Sequence, residues 1–233
     1  MEDRHNSRDA RLDNLLRSLP FFAGLPDSVV EQAVSHVITR EHPPKSAILR
    51  QDDWGESVYF ILEGWVKIRT YNIDGKEVTL NIVGKGELVG EMACLDKVPR
   101  STDVLTLTSA TVANMPAKDF VGLMETHAQA GIWLAKLMAL RLRQLNRRLR
   151  LREADARARV ADILVFLAEG QGRVGTEGIE IPNLPHRELG SLSGMTRETV
   201  TRVLGRLEQK GFITRDQEKL FILDMDALED LIP

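Results

Sequence analysis

A change of hydrophobic period near residue 118 constrains the fold of this 233-residue chain more than any other feature. Between residues 45 and 118, segments such as SVYFIL and VTLNIV are rich in β-branched and aromatic residues, and turn signals separate them about every ten residues. From residue 118 to 152 the apolar residues recur at helical spacing. The sequence therefore predicts an α+β protein, in which an antiparallel sandwich or jelly roll precedes a long helix.

The predicted long helix carries a narrow apolar seam. Its members are spaced four, three and four residues apart, as in a coiled coil: Met138, Leu142, Leu145 and Leu149. Arginines occupy many of the other positions near the end of this predicted helix: Arg141, Arg143, Arg147, Arg148, Arg150 and Arg152. An amphipathic core helix is one interpretation, and a dimerisation helix is the other. The narrow seam and its charged flanks favour dimerisation.

Charge is distributed unevenly along the chain. The net charge of −3 would argue against a nucleic-acid-binding protein. Residues 141–215, however, hold 15 Lys and Arg against 9 Asp and Glu, a balance of +6. The preceding 140 residues hold 15 against 19, and the last 18 hold 1 against 6. A basic block between two acidic ones provides the local field that binding to phosphates needs.

The basic block contains the segment HRELGSLSGMTRETVTRVLGRLEQKGFI. Two short helical patterns meet at Gly194, which suits a left-handed helix end, and Thr196 is a good N-cap for the second helix. This is the plan of a helix-turn-helix, and FITRDQEKLFIL after it is typical of a wing. The alternative is a helical hairpin with a solvated charged face. The candidate DNA-binding residues are Thr196, Arg197, Glu198, Thr201 and Arg202.

A second segment, GKGELVGEMACLDKVPRSTDVLTL, has the chemistry of an anion site. Glycines at positions 84, 86 and 90 permit a close approach of backbone N–H groups to an anion. Arg100 offers a guanidinium fork, and Ser101 and Thr102 add hydroxyl donors. Glu91 is a candidate acceptor for a sugar hydroxyl. The alternative is a β-turn with an Arg–Glu surface pair.

Several classes of protein are disfavoured. The single cysteine, Cys94, excludes an internal disulfide, a Cys-rich zinc site and an iron–sulfur cluster. No histidine lies between residues 43 and 126, which argues against haem and against a cupin-like metalloenzyme on the roll. The sequence has no run of about 18 apolar residues and a polar N-terminus. We expect a cytoplasmic protein that is not an enzyme and holds no metal.

Taken together, the strand-rich region, the long helix and the two motifs resemble the cAMP receptor protein/FNR family of bacterial transcription regulators over about residues 15–225. The cAMP-responsive branch, including its cyanobacterial members, is most similar. The resemblance implies a cyclic-nucleotide-binding β-roll in residues 1–117, a dimerisation helix in 118–153 and a winged helix-turn-helix in 154–233. It also implies a homodimer that binds double-stranded DNA and RNA polymerase.

Family roles carry over to the matching residues. In the family's phosphate-binding cassette, Gly-Glu precedes Arg-Ser, which Gly90–Glu91 and Arg100–Ser101 match with one residue fewer between them. By resemblance, Arg100 and Ser101 hold the cyclic phosphate of cAMP, Glu91 the ribose 2′-hydroxyl, and the Gly90 backbone the ribose or phosphate region. Arg197, Glu198 and Arg202 match the family's recognition helix, which implies TGTGA-like half-sites in an inverted repeat.

The chain departs from the family's pattern at the base of the nucleotide. Enteric members have a Thr-Ser pair on the long helix, where this chain has Gln144, Leu145 and Asn146. Gln144 or Asn146 can pair with a purine edge through the amide. Two alternatives stay open: another effector, such as 2-oxoglutarate, or DNA binding without a ligand, with the roll as a structural module.

Overall fold

The computed structural model describes residues 11–233, except for the side chain of Gln171. The chain divides into two compact units. Within the described residues, the first unit comprises the chain up to Thr70 together with Leu80–Ala139, and the second comprises Tyr71–Thr79 together with Leu140–Pro233.

The chain begins with short helices. Residues 11–17 form α1, Pro20–Phe22 form a 3-10 turn, and Asp27–Ser35 form α2. Pro20 and Pro26 stand where helices start, since proline lacks the N–H that a helix interior requires. The ring of Phe21 packs against Phe60 and Phe120, with centroids 5.5 and 5.1 Å apart. The N-terminal helices are thereby fixed to the sheet behind them.

Two four-stranded sheets follow, with the strand orders β1-β8-β3-β6 and β2-β7-β4-β5. The strands are β1 (Ile38–His42), β2 (Ala47–Leu49), β3 (Ser57–Glu63), β4 (Val66–Tyr71), β5 (Glu77–Val83), β6 (Leu88–Val89), β7 (Asp103–Thr106) and β8 (Ala110–Pro116). β8 pairs antiparallel with β1 and with β3, and β7 pairs antiparallel with β2 and with β4. The predicted jelly-roll-like sandwich is confirmed.

β3 separates two apolar clusters because successive side chains on a strand point to opposite faces. Val58, Phe60 and Leu62 join the cluster that packs under the helices. Ile61 joins a cluster to which strands of both sheets contribute, including Val66 and Val104. The roll therefore has a core between its sheets and another beneath its helices.

The predicted helix of residues 118–152 is two helices. α4 covers Ala117–Thr126 and α5 covers Ala128–Arg150. The two helices are separated at His127, whose backbone is extended (φ −130°, ψ 101°). At the end of α4, the hydroxyl of Thr126 donates to the carbonyl of Gly122. Two further elements were not predicted: β1, which precedes the strand-rich region of residues 45–118, and Glu91–Asp96, which forms a short helix, α3, inside the roll.

The part of the second unit that follows α5 is a winged helix. A 3-10 turn, Leu151–Glu153, precedes α6 (Ala156–Gln171), α7 (His186–Ser193) and α8 (Arg197–Gln209), and α9 (Met225–Glu229) closes the chain. Its sheet has the order β11-β12-β10-β9, formed by β9 (Arg173–Gly175), β10 (Gly178–Pro182), β11 (Ile213–Arg215) and β12 (Lys219–Ile222). The predicted helix-turn-helix and the hairpin behind it are confirmed.

Candidate functional sites

Arg100 is a buried arginine at the end of the loop between α3 and β7, and only 4% of it is exposed. Its Nη1 donates to the carbonyl of Gly90 at 2.6 Å, and its Nη2 donates to the carbonyl of Ser57 at 2.7 Å. The backbone N–H of Arg100 donates to Asp53 O at 2.9 Å. Two carbonyls thus hold the guanidinium of Arg100, and a third holds its backbone.

Two glycines leave room for the guanidinium. A Cβ at Gly55 would lie 2.2 Å from Nη2 of Arg100, and one at Gly90 would lie 2.8 Å from Nη1. Gly90 also has a φ of +87°, which favours glycine. Gly55 was visible in the sequence merely as a turn residue, because nothing local indicates that Arg100 packs against it.

The other residues of the predicted cassette differ in their burial. Glu91 begins α3 and is buried, whereas Ser101 is exposed and Thr102 half-buried. Cys94 on the same helix is buried, with its sulfur 4.0 Å from Nη1 of Arg100. Burial raises the pKa of the Cys94 thiol, against the opposing effect of the guanidinium. Cys94 is therefore a small buried side chain beside the guanidinium.

The glycine-rich loop before the cassette serves the fold. The Gly84 N–H donates to the carboxylate of Glu87 at 2.9 Å, and the Gly86 N–H donates to Ile61 O at 2.8 Å. The N–H groups of positions 84 and 86 are therefore bonded within the protein, and Gly90 is the glycine of this segment that lies beside Arg100.

The predicted seam on α5 divides into two parts. Met138 is half-buried and packs against the core of the first unit, so it departs from the exposed seam that the spacing predicted. Leu142, Leu145 and Leu149 are 58%, 49% and 60% exposed. Gln144 is half-buried and Asn146 is exposed. Both lie on the part of α5 that belongs to the second unit, whereas Arg100 belongs to the first.

The turn between α7 and α8 is built as its sequence predicts. Gly194 ends α7 in the left-handed region (φ +66°, ψ 35°), and the hydroxyl of Thr196 accepts from the Thr199 N–H at 3.3 Å. Gly190 lets the two helices approach closely, since a Cβ there would lie 2.8 Å from the carbonyl oxygen of Met195. The tight turn therefore depends on a glycine at position 190.

α8 separates an apolar face from a polar one. Its buried residues are Val200, Val203, Leu204 and Leu207. Its first turns expose the predicted DNA-binding residues: Arg197, Glu198, Thr201 and Arg202. The sequence did not reveal that the Thr201 hydroxyl is engaged within the protein. It donates to Arg197 O at 2.9 Å and lies 2.7 Å from Nδ1 of His186.

Two of the arginines at the end of α5 are structural. Nε of Arg147 lies 2.5 Å from Oδ1 of Asp162, which is 3% exposed on α6. Burial raises the pKa of Asp162. Burial also lowers the pKa of Arg148 to about 10. The guanidinium of Arg148 lies over the ring of Phe166, 4.6 Å from the ring centre. A carboxylate within the apolar run VADILVF was the signal that could have found this cluster.

The part of the chain that the structure describes contains neither a candidate metal site nor a helix that could span a membrane. Residues 11–233 contain no group of three His, Cys, Asp or Glu side chains arranged to hold a metal ion. None of the helices described is long and apolar enough to cross a membrane.

Comparisons with known proteins agree with this architecture. The cyclic nucleotide-binding domain model matches residues 39–127, and the Crp-like helix-turn-helix domain model matches residues 158–231. The cyclic AMP receptor protein of Thermus thermophilus is 31% identical over 93% of this chain and 98% of its own length. The cAMP-activated global transcriptional regulator CRP of Salmonella typhimurium is 29% identical over 81% of this chain and 90% of its own.

Among solved structures, FixK2 from Bradyrhizobium japonicum has the same fold. It aligns with a TM-score of 0.73 at 20% identity and covers 84% of this chain and 98% of its own. Because the Thermus relative matches nearly the whole chain and both domain models match in the expected order, this chain belongs to the cyclic AMP receptor protein family of transcription regulators, with a cyclic nucleotide-binding domain and a helix-turn-helix domain.

Proposed function

We propose that the protein is a homodimeric transcription regulator whose binding to TGTGA-like inverted repeats depends on cAMP. The observation that carries this proposal is the buried Arg100, held by the carbonyls of Gly90 and Ser57 with glycine at position 55 beside it. Burying a cation has a high cost in free energy. Recognition of a phosphate would explain why the fold nevertheless buries this guanidinium.

Arg100 has capacity for an anion. A guanidinium carries more N–H donors than the two carbonyl bonds use, and it stays charged at any physiological pH. The side chain lies out of water, where its attraction to a cyclic phosphate is screened less than at the surface. Gly90, Glu91, Ser101 and Thr102 complete the proposed phosphate and ribose site. Gln144 or Asn146 would contact the base.

The exposed leucines of α5 support a dimer. Leu142, Leu145 and Leu149 recur at coiled-coil spacing on a helix that leaves them open to solvent. A two-fold axis along this seam would place the two α8 helices at half-sites one helical turn apart, about 10 bp. A ligand that favours one arrangement of the seam shifts DNA affinity by its differential binding, typically about 1–3 kcal/mol.

α8 supplies the DNA-reading groups of this proposal. Arg197 and Arg202 can bond guanine O6 and N7 bidentately, and Glu198 can accept from cytosine N4. The cap residue Thr196 lies at the helix start, where a backbone phosphate binds favourably. A regulator of this kind works in the cytoplasm, where it acts on RNA polymerase.

A second candidate function is DNA binding that needs no cyclic nucleotide, or that answers another effector such as 2-oxoglutarate. One observation favours it: both terminal nitrogens of Arg100 are hydrogen-bonded to carbonyls of the chain itself. An arginine satisfied in this way can stabilise the roll as a structural group.

The test is the fluorescence anisotropy of a labelled TGTGA–N6–TCACA duplex at fixed salt, because DNA affinity depends steeply on salt. The protein is titrated alone and with cAMP, cGMP or 2-oxoglutarate, and a scrambled duplex is the control. We expect cAMP alone to tighten binding to the TGTGA duplex. Equally tight binding without any ligand would contradict the cAMP dependence and favour the second candidate.

A further inference from the structure

A chain of hydrogen bonds connects the recognition helix to the wing. Nδ1 of His186, the first residue of α7, lies 2.7 Å from the Thr201 hydroxyl of α8. Nη1 of Arg215, on strand β11, lies 2.8 Å from Nε2 of the same imidazole. Nη2 of Arg215 then donates to the carboxylate of Glu208 on α8 at 2.6 Å. Three elements of the DNA-binding unit therefore meet at His186.

The partners assign the proton of this imidazole. The single hydroxyl hydrogen of Thr201 goes to Arg197 O, which lies 2.9 Å away, so the Thr201 oxygen must accept from Nδ1–H. The guanidinium of Arg215 has donors alone, so Nε2 must accept. Both conditions hold for a neutral imidazole with its proton on Nδ1.

We propose that His186 is a positioning residue, which in its neutral form holds α8 and the wing in the arrangement that reads DNA. This inference rests on the proposed function of α8. Protonation would place an N–H on Nε2 against an N–H of Arg215, so that donor faces donor, and would add a positive charge beside a guanidinium. The bond between α7 and the wing would then be lost.

The charges around His186 favour the neutral form. Arg215 faces it from β11 and Arg197 from α8, and Glu208 of α8 is the opposing carboxylate. Burial and then the two arginines lower the pKa of His186 from its ordinary value, with Glu208 acting in the other direction. Since the unfolded chain binds this proton at higher pH, the contribution of His186 to folding is complete above about pH 6.5 and is lost as the pH falls through the lowered pKa.

Two conservative variants separate the two bonds. The amide of His186→Asn can donate to Thr201 near the position of Nδ1 but does not reach Arg215. The carbonyl of His186→Gln can accept from Arg215 near the position of Nε2 but does not serve Thr201. Neither side chain titrates, and both variants leave the other histidines unchanged. His186→Arg provides a permanent positive charge.

The experiment compares the full-length wild type and these variants, with saturating cAMP and at fixed salt, from about pH 8 to about pH 5.5. The readout is the ratio of affinities for the TGTGA–N6–TCACA and scrambled duplexes. For the wild type we expect the ratio to fall about tenfold towards low pH, as for the loss of one hydrogen bond. The ratio should stay flat for His186→Asn and His186→Gln and should be low at every pH for His186→Arg.

Two outcomes would overturn the inference: a wild-type pH profile that His186→Gln shares, or a wild-type specificity ratio in His186→Arg. Urea unfolding over the same pH range tests the bond network without DNA, because the pH dependence of stability should be smaller in His186→Gln than in the wild type. If the wild type does not distinguish the duplexes at any pH, the proposed function fails, while the unfolding result still decides whether neutral His186 holds the elements together.

Discussion

The roll and the winged helix present their candidate binding groups in opposite ways. In the roll, Arg100 is buried, and carbonyls from Gly90 and Ser57 orient it. In the winged helix, Arg197 and Arg202 are exposed on one helix of 13 residues. The first arrangement depends on chain segments that are far apart in sequence, and the second depends on a cap and a helical period.

This difference predicts different responses to mutation. A change near Arg100 should alter ligand binding even when the substituted residue never touches the ligand, since packing fixes the guanidinium. A change on the exposed face of α8 should alter DNA recognition and leave folding nearly unaffected, because surface substitutions cost little stability.

Among the four substitutions considered, Arg100→Ala should have the largest effect, and that effect should be on ligand binding in the roll. Removing one partner of a buried charge pair costs about 2–5 kcal/mol of binding free energy, so we expect cAMP binding to be lost in isothermal titration calorimetry. Light scattering should show the same molar mass as for the wild type, because the exposed leucines of α5 belong to the second unit and Arg100 to the first. A variant that binds cAMP with wild-type affinity would refute the phosphate site.

Gly190→Ala examines the winged helix at the turn between α7 and α8. The new Cβ would lie 2.8 Å from a backbone carbonyl oxygen, so the turn must shift. Such overpacking costs about 1–3 kcal/mol, measured as a lower free energy of unfolding in urea. The matched control is Gly205→Ala on α8, where nothing lies within 4 Å and alanine favours the helix. Equal stability of the two variants would contradict this close approach.

Gly55→Ala is the equivalent test in the roll. A Cβ there would lie 2.2 Å from Nη2 of Arg100, so the guanidinium must move from its position. We expect weaker cAMP binding, by up to the roughly 1–3 kcal/mol typical of overpacking, in the same calorimetric titration. Gly122→Ala on α4, with nothing within 4 Å, is the control. An unchanged affinity in Gly55→Ala would show that the position of Arg100 is not critical.

Arg197→Ala should change DNA binding and leave the stability of the protein unchanged. The loss of one bidentate base contact costs about 1–3 kcal/mol and relaxes specificity at one base pair. Anisotropy with single-substituted duplexes locates that base pair, and urea unfolding should match the wild type. An equal loss of affinity for specific and scrambled DNA would make Arg197 a phosphate contact.

Local signals made the winged helix predictable. Gly194, Thr196 and the apolar spacing of α8 each determine structure within a few residues, and the structure agrees with all three. Strands β3 and β5 of the roll were equally clear from the runs SVYFIL and VTLNIV, whereas β1, β2 and β6 were not predicted. The break between α4 and α5 at His127 was not predictable, since the apolar spacing continues across it.

Long-range contacts were beyond the reach of the sequence. The role of Gly55 beside Arg100 arises from the pairing of strands far apart in the chain. No sequence pattern singled out His186, and its place between Thr201 and Arg215 follows from the packing of three elements. Sequence patterns therefore indicated the candidate binding residues, and the structure added the candidate positioning residues.

The most direct test of the central claim, that the roll and the winged helix are coupled, is the affinity for cAMP with and without the TGTGA–N6–TCACA duplex. Coupling between two ligands is reciprocal. The duplex should tighten cAMP binding by the same factor by which cAMP tightens DNA binding, typically about 5–150-fold. A cAMP affinity that the duplex leaves unchanged would contradict the coupling.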